Sequence, residues 1–180
     1  MDTKAADGSI DHPFDILIVG AGVVGSAAAV AFARQGRNVL LLERSLKEPD
    51  RIVGELLQPG GVAALERLGL GSCLDGIDAI PVRGYDIFYR GERITFFYPP
   101  VQVIELGKTK RRPEGRSFHH GKFVMKLREV AGSEGKIRIV ETSAKELHTQ
   151  EGTGRVIGVK CVAADRFEQN VSCLHFRCGC

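Results

Sequence analysis

Hydrophobic and polar positions along the chain outline a short series of elements. The first apolar segment begins near Phe14, after a polar stretch from Met1 to Asp11. Asp15-Ile-Leu-Ile-Val-Gly20 is apolar and β-branched, bounded by a polar residue and a glycine, which predicts a buried parallel strand. Val23 to Gln35 is alanine-rich and followed by Gly36 at a C-cap position, which predicts a helix. Arg37-Asn-Val-Leu-Leu-Leu-Glu43 predicts a second strand and closes one βαβ unit. Further on, Val62 to Leu70 is amphipathic, residues 84–98 are strand-like, and a helix is expected from about Lys122 to Ala131. Ile137 to Glu141 and Arg155 to Cys161 read as two strands of a small attached sheet, joined by a polar turn around Thr149 to Gly154.

Ile16 to Ala33 invites a competing reading. It is an almost unbroken apolar run with Ser26 its one clearly polar residue, and it reaches the roughly 18 residues that can cross a bilayer. Three spaced glycines inside it, and the return to a strand ending in Glu43-Arg44, favour a soluble βαβ unit. The glycines form Gly20-Ala21-Gly22-Val-Val-Gly25 at the strand-to-helix turn. Gly20 permits the tight turn, Gly22 lets backbone approach a pyrophosphate, and Gly25 lets the helix close on the strand. The helix N-terminus then offers free N–H groups and a positive dipole end to phosphates. Glu43, ending the second strand, is placed to accept hydrogen bonds from an adenosine ribose and disfavours a 2′-phosphate. These features predict a dinucleotide site, with NADP disfavoured.

A loop with Pro49 follows Arg44, and Leu46-Lys-Glu-Pro-Asp-Arg51-Ile-Val-Gly-Glu-Leu-Leu-Gln-Pro-Gly-Gly61 leads into the next amphipathic stretch. This layout resembles class A FAD-dependent monooxygenases. The same string, with Leu65-Glu-Arg-Leu-Gly-Leu-Gly71, Gly76-Ile-Asp-Ala79 and Gly115-Arg-Ser-Phe-His-His-Gly-Lys-Phe-Val-Met-Lys-Leu-Arg128, resembles the squalene epoxidases (squalene monooxygenases). The resemblance runs from about Phe14 to about Cys161 and corresponds to an N-terminal portion of that family. It implies an α/β, Rossmann-like FAD-binding domain with a small attached β-sheet. It further implies FAD as cofactor, squalene as substrate, 2,3-oxidosqualene as product for sterol biosynthesis, and O2 with NADPH electrons delivered by a separate cytochrome reductase. An endoplasmic reticulum membrane location is implied for the whole family, with no anchor in this chain.

Site residues are implied position by position. Val19, Gly20, Ala21, Gly22 and Gly25 would surround the pyrophosphate, with Glu43 and Arg44 at the adenosine end. Arg51 and Arg128 match arginines that contact FAD, Leu56 and Gln58 match positions near the flavin ring, and Tyr85 matches a residue lining the substrate pocket. By residue pattern alone, Arg51 beside Asp50 reads as a solvated pair, Arg128 as a solvated helix face, and Tyr85, alternating with Ile87 and Tyr89, as strand core. His119-His120 is expected to shape the entry to a helix rather than to hold a metal.

At 180 residues, 43% hydrophobic and 26% charged, the composition is that of a soluble globular chain. The net charge of +3 is too small to point to nucleic acid, and Lys108-Thr-Lys-Arg-Arg112 reads as a solvated loop. Residues 1–13 are expected to be disordered, 14–161 to form the N-terminal part of the FAD-binding domain, and 162–180 to be an atypical tail. Cys173, His175, Cys178 and Cys180 crowd that tail without the paired spacing of common zinc modules, and no metal or disulfide framework is expected. Past Cys161 the resemblance stops, as a frame change, retained intron or early stop would produce. On that reading the chain is truncated, with weak or no FAD retention and no epoxidation alone. Two other readings stay open: a class A monooxygenase of another triterpene or lipid, and a non-catalytic fragment that binds a nucleotide or a partner. A plain NAD dehydrogenase fits the Arg44–Arg51 loop less well.

Overall fold

The computed structural model describes residues 14–52, 55–100, 112–163 and 172–175. The expected disordered segment, most of the basic stretch Lys108–Arg112, and Cys178 and Cys180 lie outside them. The chain divides into two compact units, Met1–Glu48 with Val124–Cys180, and Pro49–Phe123.

The first unit is built on a five-stranded sheet in the order β1 (Ile16–Val19), β2 (Val39–Glu43), β8 (Ile137–Thr149), β9 (Val156–Ala163) and β10 (Ser172–His175). β1 (Ile16–Val19), β2 (Val39–Glu43) and the start of β8 (Ile137–Thr149) are parallel, with Ile18 opposite Leu41 and Leu41 opposite Ile139. Helix α1 (Val23–Arg34) joins β1 to β2, as the alanine-rich run predicts. Gly36 at φ +91° ends it in the left-handed region that glycine occupies without steric cost. β2 is buried along Val39–Leu42, the pattern of a strand covered on both faces.

β8 is longer than predicted, and it belongs to the main sheet. Its first five residues pair with β2, and the rest turns back as an antiparallel hairpin with β9 (Val156–Ala163). Register shifts near Ala144 and near His148 interrupt that hairpin, and irregularities of this kind bend a strand. Val159 and Cys161 thereby join Phe14, Leu40 and Leu42 in one core, with Leu17, Val140 and Ala144 packed against it. Val162 and Ala163 continue β9, and β10 (Ser172–His175) pairs with it, so these residues past Cys161 are part of the sheet.

One buried group in α1 stands out. The Ser26 hydroxyl is fully buried and has no hydrogen-bond partner among the described residues. A buried hydroxyl left without a partner costs on the order of 1–3 kcal/mol. Ser26→Ala is therefore expected to leave ligand-free stability unchanged or raise it by about 1 kcal/mol, read from thermal or urea unfolding. A clear loss would show that the hydroxyl has a partner in solution.

The second unit holds a three-stranded sheet, β3 (Leu56–Leu57), β7 (Gly115–Ser117) and β4 (Ile80–Val82), and a separate hairpin of β5 (Gly84–Tyr89) and β6 (Glu92–Phe97). Helix α2 (Pro59–Arg67) begins earlier than the amphipathic stretch suggested. Proline suits the first helical position because its missing N–H would have no partner there. Gly61 then faces Leu57, where a Cβ would come within 2.5 Å of Leu57 Cδ1. The β5–β6 turn is Arg90-Gly91, both at positive φ, a two-residue connection suited to strand twist. Both faces of this hairpin are exposed, at Tyr85, Ile87 and Tyr89 and also at Phe88, Ile94, Phe96 and Phe97. Arg93 and Arg112 lie over the rings of Phe88 and Phe97.

Helix α3 (His120–Ser133) contains the predicted segment and adds residues at both ends. His119 precedes it and His120 is its first residue, the positions expected for the helix entry.

Candidate functional site: a glycine turn, a carboxylate and a buried arginine

In the first unit the β1–α1 turn is shaped by its glycines. Gly20 has φ +99°, and its N–H donates to the Leu42 carbonyl at 2.7 Å, tying the turn to the end of β2. At Gly25 a Cβ would stand 1.8 Å from the Gly20 carbonyl oxygen and 3.4 Å from Ile18 Cγ2, so only glycine lets α1 come this close to β1. At Gly22 a Cβ would meet nothing within 4 Å. Gly22 is also the N-cap of α1, with no side-chain cap and no acidic residue in the first turn. The N-terminal amides of α1 therefore keep the unpaired donors of an open helix end.

Ala21 lies between these glycines and is fully buried. Its N–H donates to Glu43 Oε2 at 2.7 Å, and its carbonyl accepts from Arg128 Nε at 2.7 Å. Glu43 Oε1 also accepts the Ser45 N–H at 3.2 Å. Val19, at the end of β1, is exposed, and so is Arg44 beyond β2. The structure thus gathers Val19, Gly20, Ala21, Gly22, Gly25, Glu43 and Arg128 around one strand-to-helix turn, with Arg44 adjoining.

Arg128 departs from its pattern-based reading as a solvated residue. On α3 it shares the buried face with Val124, Leu127 and Ala131, and its side chain is 8% exposed. The i, i+3, i+4, i+7 spacing of these four positions was the available signal, and it places the arginine among core residues.

In the second unit, Arg51 is an exposed loop residue and Leu56 an exposed position of β3 opposite Ser117. Gln58 and Tyr85 are brought together: the Gln58 amide Nε2 donates to the Tyr85 hydroxyl. Sequence reading missed a third member, Tyr98, whose hydroxyl donates to Gln58 Oε1 at 2.9 Å. Its ring meets that of Tyr85 edge-on, with centroids 5.7 Å apart. The signal lay in the hairpin register. Gly84 pairs with Phe97, so Tyr98 stands just beyond, donating its N–H to Arg83. Hydrogen bonds from Tyr98 and then Gln58 hold the Tyr85 hydroxyl below the usual tyrosine range. Burial, and then the bond to Tyr85, push Tyr98 up to about 12.

Tyr85 is thus expected to ionise before Tyr98 as pH rises. The stabilisation associated with neutral Tyr98 is present below the ordinary value near 10 and is lost as pH rises towards about 12. Tyr98→Phe should move the Tyr85 titration upward, read from tyrosinate absorbance with Tyr85→Phe as the reference. An unmoved titration would show that the hydroxyls do not meet in solution.

Comparison with known proteins then places the chain. Residues 15–49 match the FAD dependent oxidoreductase family. The chain is 55% identical over 151 residues to squalene epoxidase erg1 of Aspergillus fumigatus, covering 84% of this chain and 30% of that protein. It is 41% identical over 148 residues to squalene monooxygenase of Mus musculus, covering 81% of this chain and 24% of that protein. Over these residues the chain is a squalene epoxidase homologue. It spans about a third or less of the length of those relatives.

The fold agrees. PqsL of Pseudomonas aeruginosa superposes with a TM-score of 0.72 at 20% identity, over 91% of the homologue and 41% of PqsL. The myxobacterial FAD-dependent halogenase CndH gives 0.71 at 23%, over 92% and 36%. At these identities the likeness is one of fold. The predicted α/β class, with a parallel βαβ sheet and small antiparallel sheets, is the observed one. Among the described residues no helix is long and apolar enough to cross a membrane, and Ile16–Ala33 is a strand, turn and helix.

Proposed function

We propose that the first unit holds the adenosine diphosphate portion of FAD, and that the protein to which this sequence belongs epoxidises squalene. One observation carries the cofactor reading: the α1 N-terminus is uncapped, Gly22 leaves open space beside it, and the Glu43 carboxylate stands at the end of β2. Phosphate oxygens suit the uncapped amides, and Glu43 Oε1 and Oε2 suit the hydroxyls of a ribose. A 2′-phosphate beside that carboxylate would meet like charge, which favours FAD over NADP. Arg44, exposed beside Glu43, would face the adenosine end.

When bound and reduced, FAD supplies the oxygen activation that an epoxidation needs. The chain's own residues would bind and orient the cofactor. Arg51, Leu56 and Gln58 would lie towards the flavin, and Tyr85 towards the substrate. Squalene, a cytochrome reductase as electron donor and an endoplasmic reticulum location enter this reading through the similarity to squalene epoxidases.

The test has two parts. Calorimetric titration of the chain with ADP, and with its 2′-phosphorylated analogue, should show binding of ADP and at least about tenfold weaker binding of the analogue. Equal affinities would remove Glu43 from the ribose site. Epoxidation of squalene by the whole protein with reductase and NADPH then checks the reaction. FAD binding with turnover of a different triterpene would leave the cofactor site standing and replace the substrate.

A further inference from the structure

Gln58, Tyr85 and Tyr98 form a hydrogen-bonded cluster within the second unit. Gln58 is the N-cap of α2, and its carbonyl accepts the Gly61 N–H at 2.8 Å and the Val62 N–H at 3.1 Å. Its side chain makes no capping bond, and both of its polar atoms go to the tyrosines. Nε2 donates to the Tyr85 hydroxyl, while Oε1 accepts from the Tyr98 hydroxyl at 2.9 Å. An amide turned end for end would swap donor and acceptor, so its partners decide which way it stands.

Two close backbone approaches bring the rings to this meeting. At Gly84 a Cβ would stand 1.9 Å from the Phe96 carbonyl oxygen, so β5 and β6 draw together beside Tyr85. At Gly115 it would stand 2.6 Å from the Leu57 carbonyl oxygen and 3.6 Å from the Tyr98 hydroxyl. β7 thus lies close beside both the residue preceding Gln58 and the Tyr98 hydroxyl. Tyr98 is half-buried and Tyr85 exposed. Burial, and then the bond to Tyr85, push Tyr98 up to about 12, so it keeps its proton and remains the donor. Tyr85 is the hydroxyl that receives, from Tyr98 and from Gln58.

From this geometry we infer that Tyr98 is a positioning residue for the proposed reaction, holding the Gln58 amide and the Tyr85 hydroxyl in one orientation. The inference rests on the reading above, in which Gln58 lies towards the flavin and Tyr85 towards the substrate. Neither the residue pattern nor the family resemblance gave Tyr98 a role. Without the Tyr98 proton, the Gln58 amide is free to turn and the Tyr85 hydroxyl loses a donor. Presetting both groups spares the ordering that a ligand would otherwise have to impose.

The test uses Tyr98→Phe, Gln58→Met and the two combined. In the whole protein, with reductase and NADPH, Tyr98→Phe should lower kcat for squalene by about tenfold, since a misplacement of about 1 Å can cost ~100-fold in rate. KM should stay within about twofold of the wild-type value, as it does when only the reacting arrangement is disturbed. The combined variant should be no slower than the slower single one, because both changes break one network. In the 180-residue chain, Tyr98→Phe should also raise the Tyr85 titration, read from tyrosinate absorbance. The ring is kept and Gln58 is exposed, so this variant should unfold at the wild-type urea concentration. Losses that multiply would overturn the inference, as would an unmoved Tyr85 titration. A raised KM with unchanged kcat would also overturn it, marking a direct ligand contact instead. Wild-type kinetics in Tyr98→Phe with a moved titration would overturn it while leaving the hydrogen bonds standing. Wild-type protein that binds FAD without turning over squalene would overturn the reading beneath it as well.

Discussion

Gly25→Ala is expected to abolish ADP and FAD binding and to lower stability, although it adds a single methyl group. The new Cβ would sit 1.8 Å from the Gly20 carbonyl oxygen, a backbone atom that cannot rotate away. Relief requires α1 to withdraw from β1 or the turn to open, and overpacking of this sort costs about 1–3 kcal/mol or more. Either movement also displaces the amides at the α1 N-terminus. A loss of roughly 100-fold in affinity needs only about 2.7 kcal/mol of misplacement, well within that reach.

Gly22→Ala is the informative companion. Gly22 has φ −81° and ψ −166°, which alanine adopts freely, and open space where the methyl would go. This variant should unfold at the wild-type denaturant concentration and still bind ADP more weakly, because the methyl occupies the approach of the phosphates. Urea unfolding and ADP calorimetry on both variants separate the two roles. A Gly25→Ala protein as stable as the wild type would show that the turn is looser than its geometry.

These two glycines show what was legible in the sequence. Their spacing after an apolar strand is dictated by local backbone geometry, so the turn, α1 and β2 could be placed from residue pattern alone. β8 could not. Ile137 to Glu141 carries the apolar signal, but the strand continues through polar residues to Thr149, held by pairing with β9 rather than by its own hydrophobicity. Long-range pairing leaves no local mark.

The β5–β6 hairpin failed in the opposite sense. Tyr85, Ile87 and Tyr89 alternate as a half-buried strand should, yet both faces are exposed. Alternation reports which residues share a face. It does not report whether anything covers that face. Arg128 was misread because a charge was assumed to face solvent. Its spacing from Val124, Leu127 and Ala131 marks the buried face, and its partners Ala21, Glu43 and Lys47 come from sequence positions far away.

That buried charge underlies the second large effect. Glu43→Leu should cost about 3–5 kcal/mol, the usual result of leaving a buried ionic partner uncompensated. It also removes the acceptor for the Ala21 N–H, and an unpaired buried amide adds on the order of 1–3 kcal/mol. Against a total stability of about 5–15 kcal/mol, this would bring the unit close to unfolding at ordinary temperature. Glu43→Gln should do less harm, because its amide oxygen can still accept from Ala21, while the acceptor for the Ser45 N–H and the charge opposite Arg128 are lost. Combining Glu43→Leu with Arg128→Leu removes both charges and should restore much of the stability, since a buried ion pair replaced by apolar residues is often near neutral. The doubly substituted protein should nevertheless fail to bind ADP, having lost the carboxylate proposed to hold the ribose. Thermal unfolding by circular dichroism, with ADP calorimetry on the same samples, reads both quantities. Recovery of stability with binding still absent would assign Glu43 two separable tasks, holding Arg128 in the core and holding the nucleotide. Recovery of both would mean that the carboxylate serves the fold alone and that the ribose is held elsewhere.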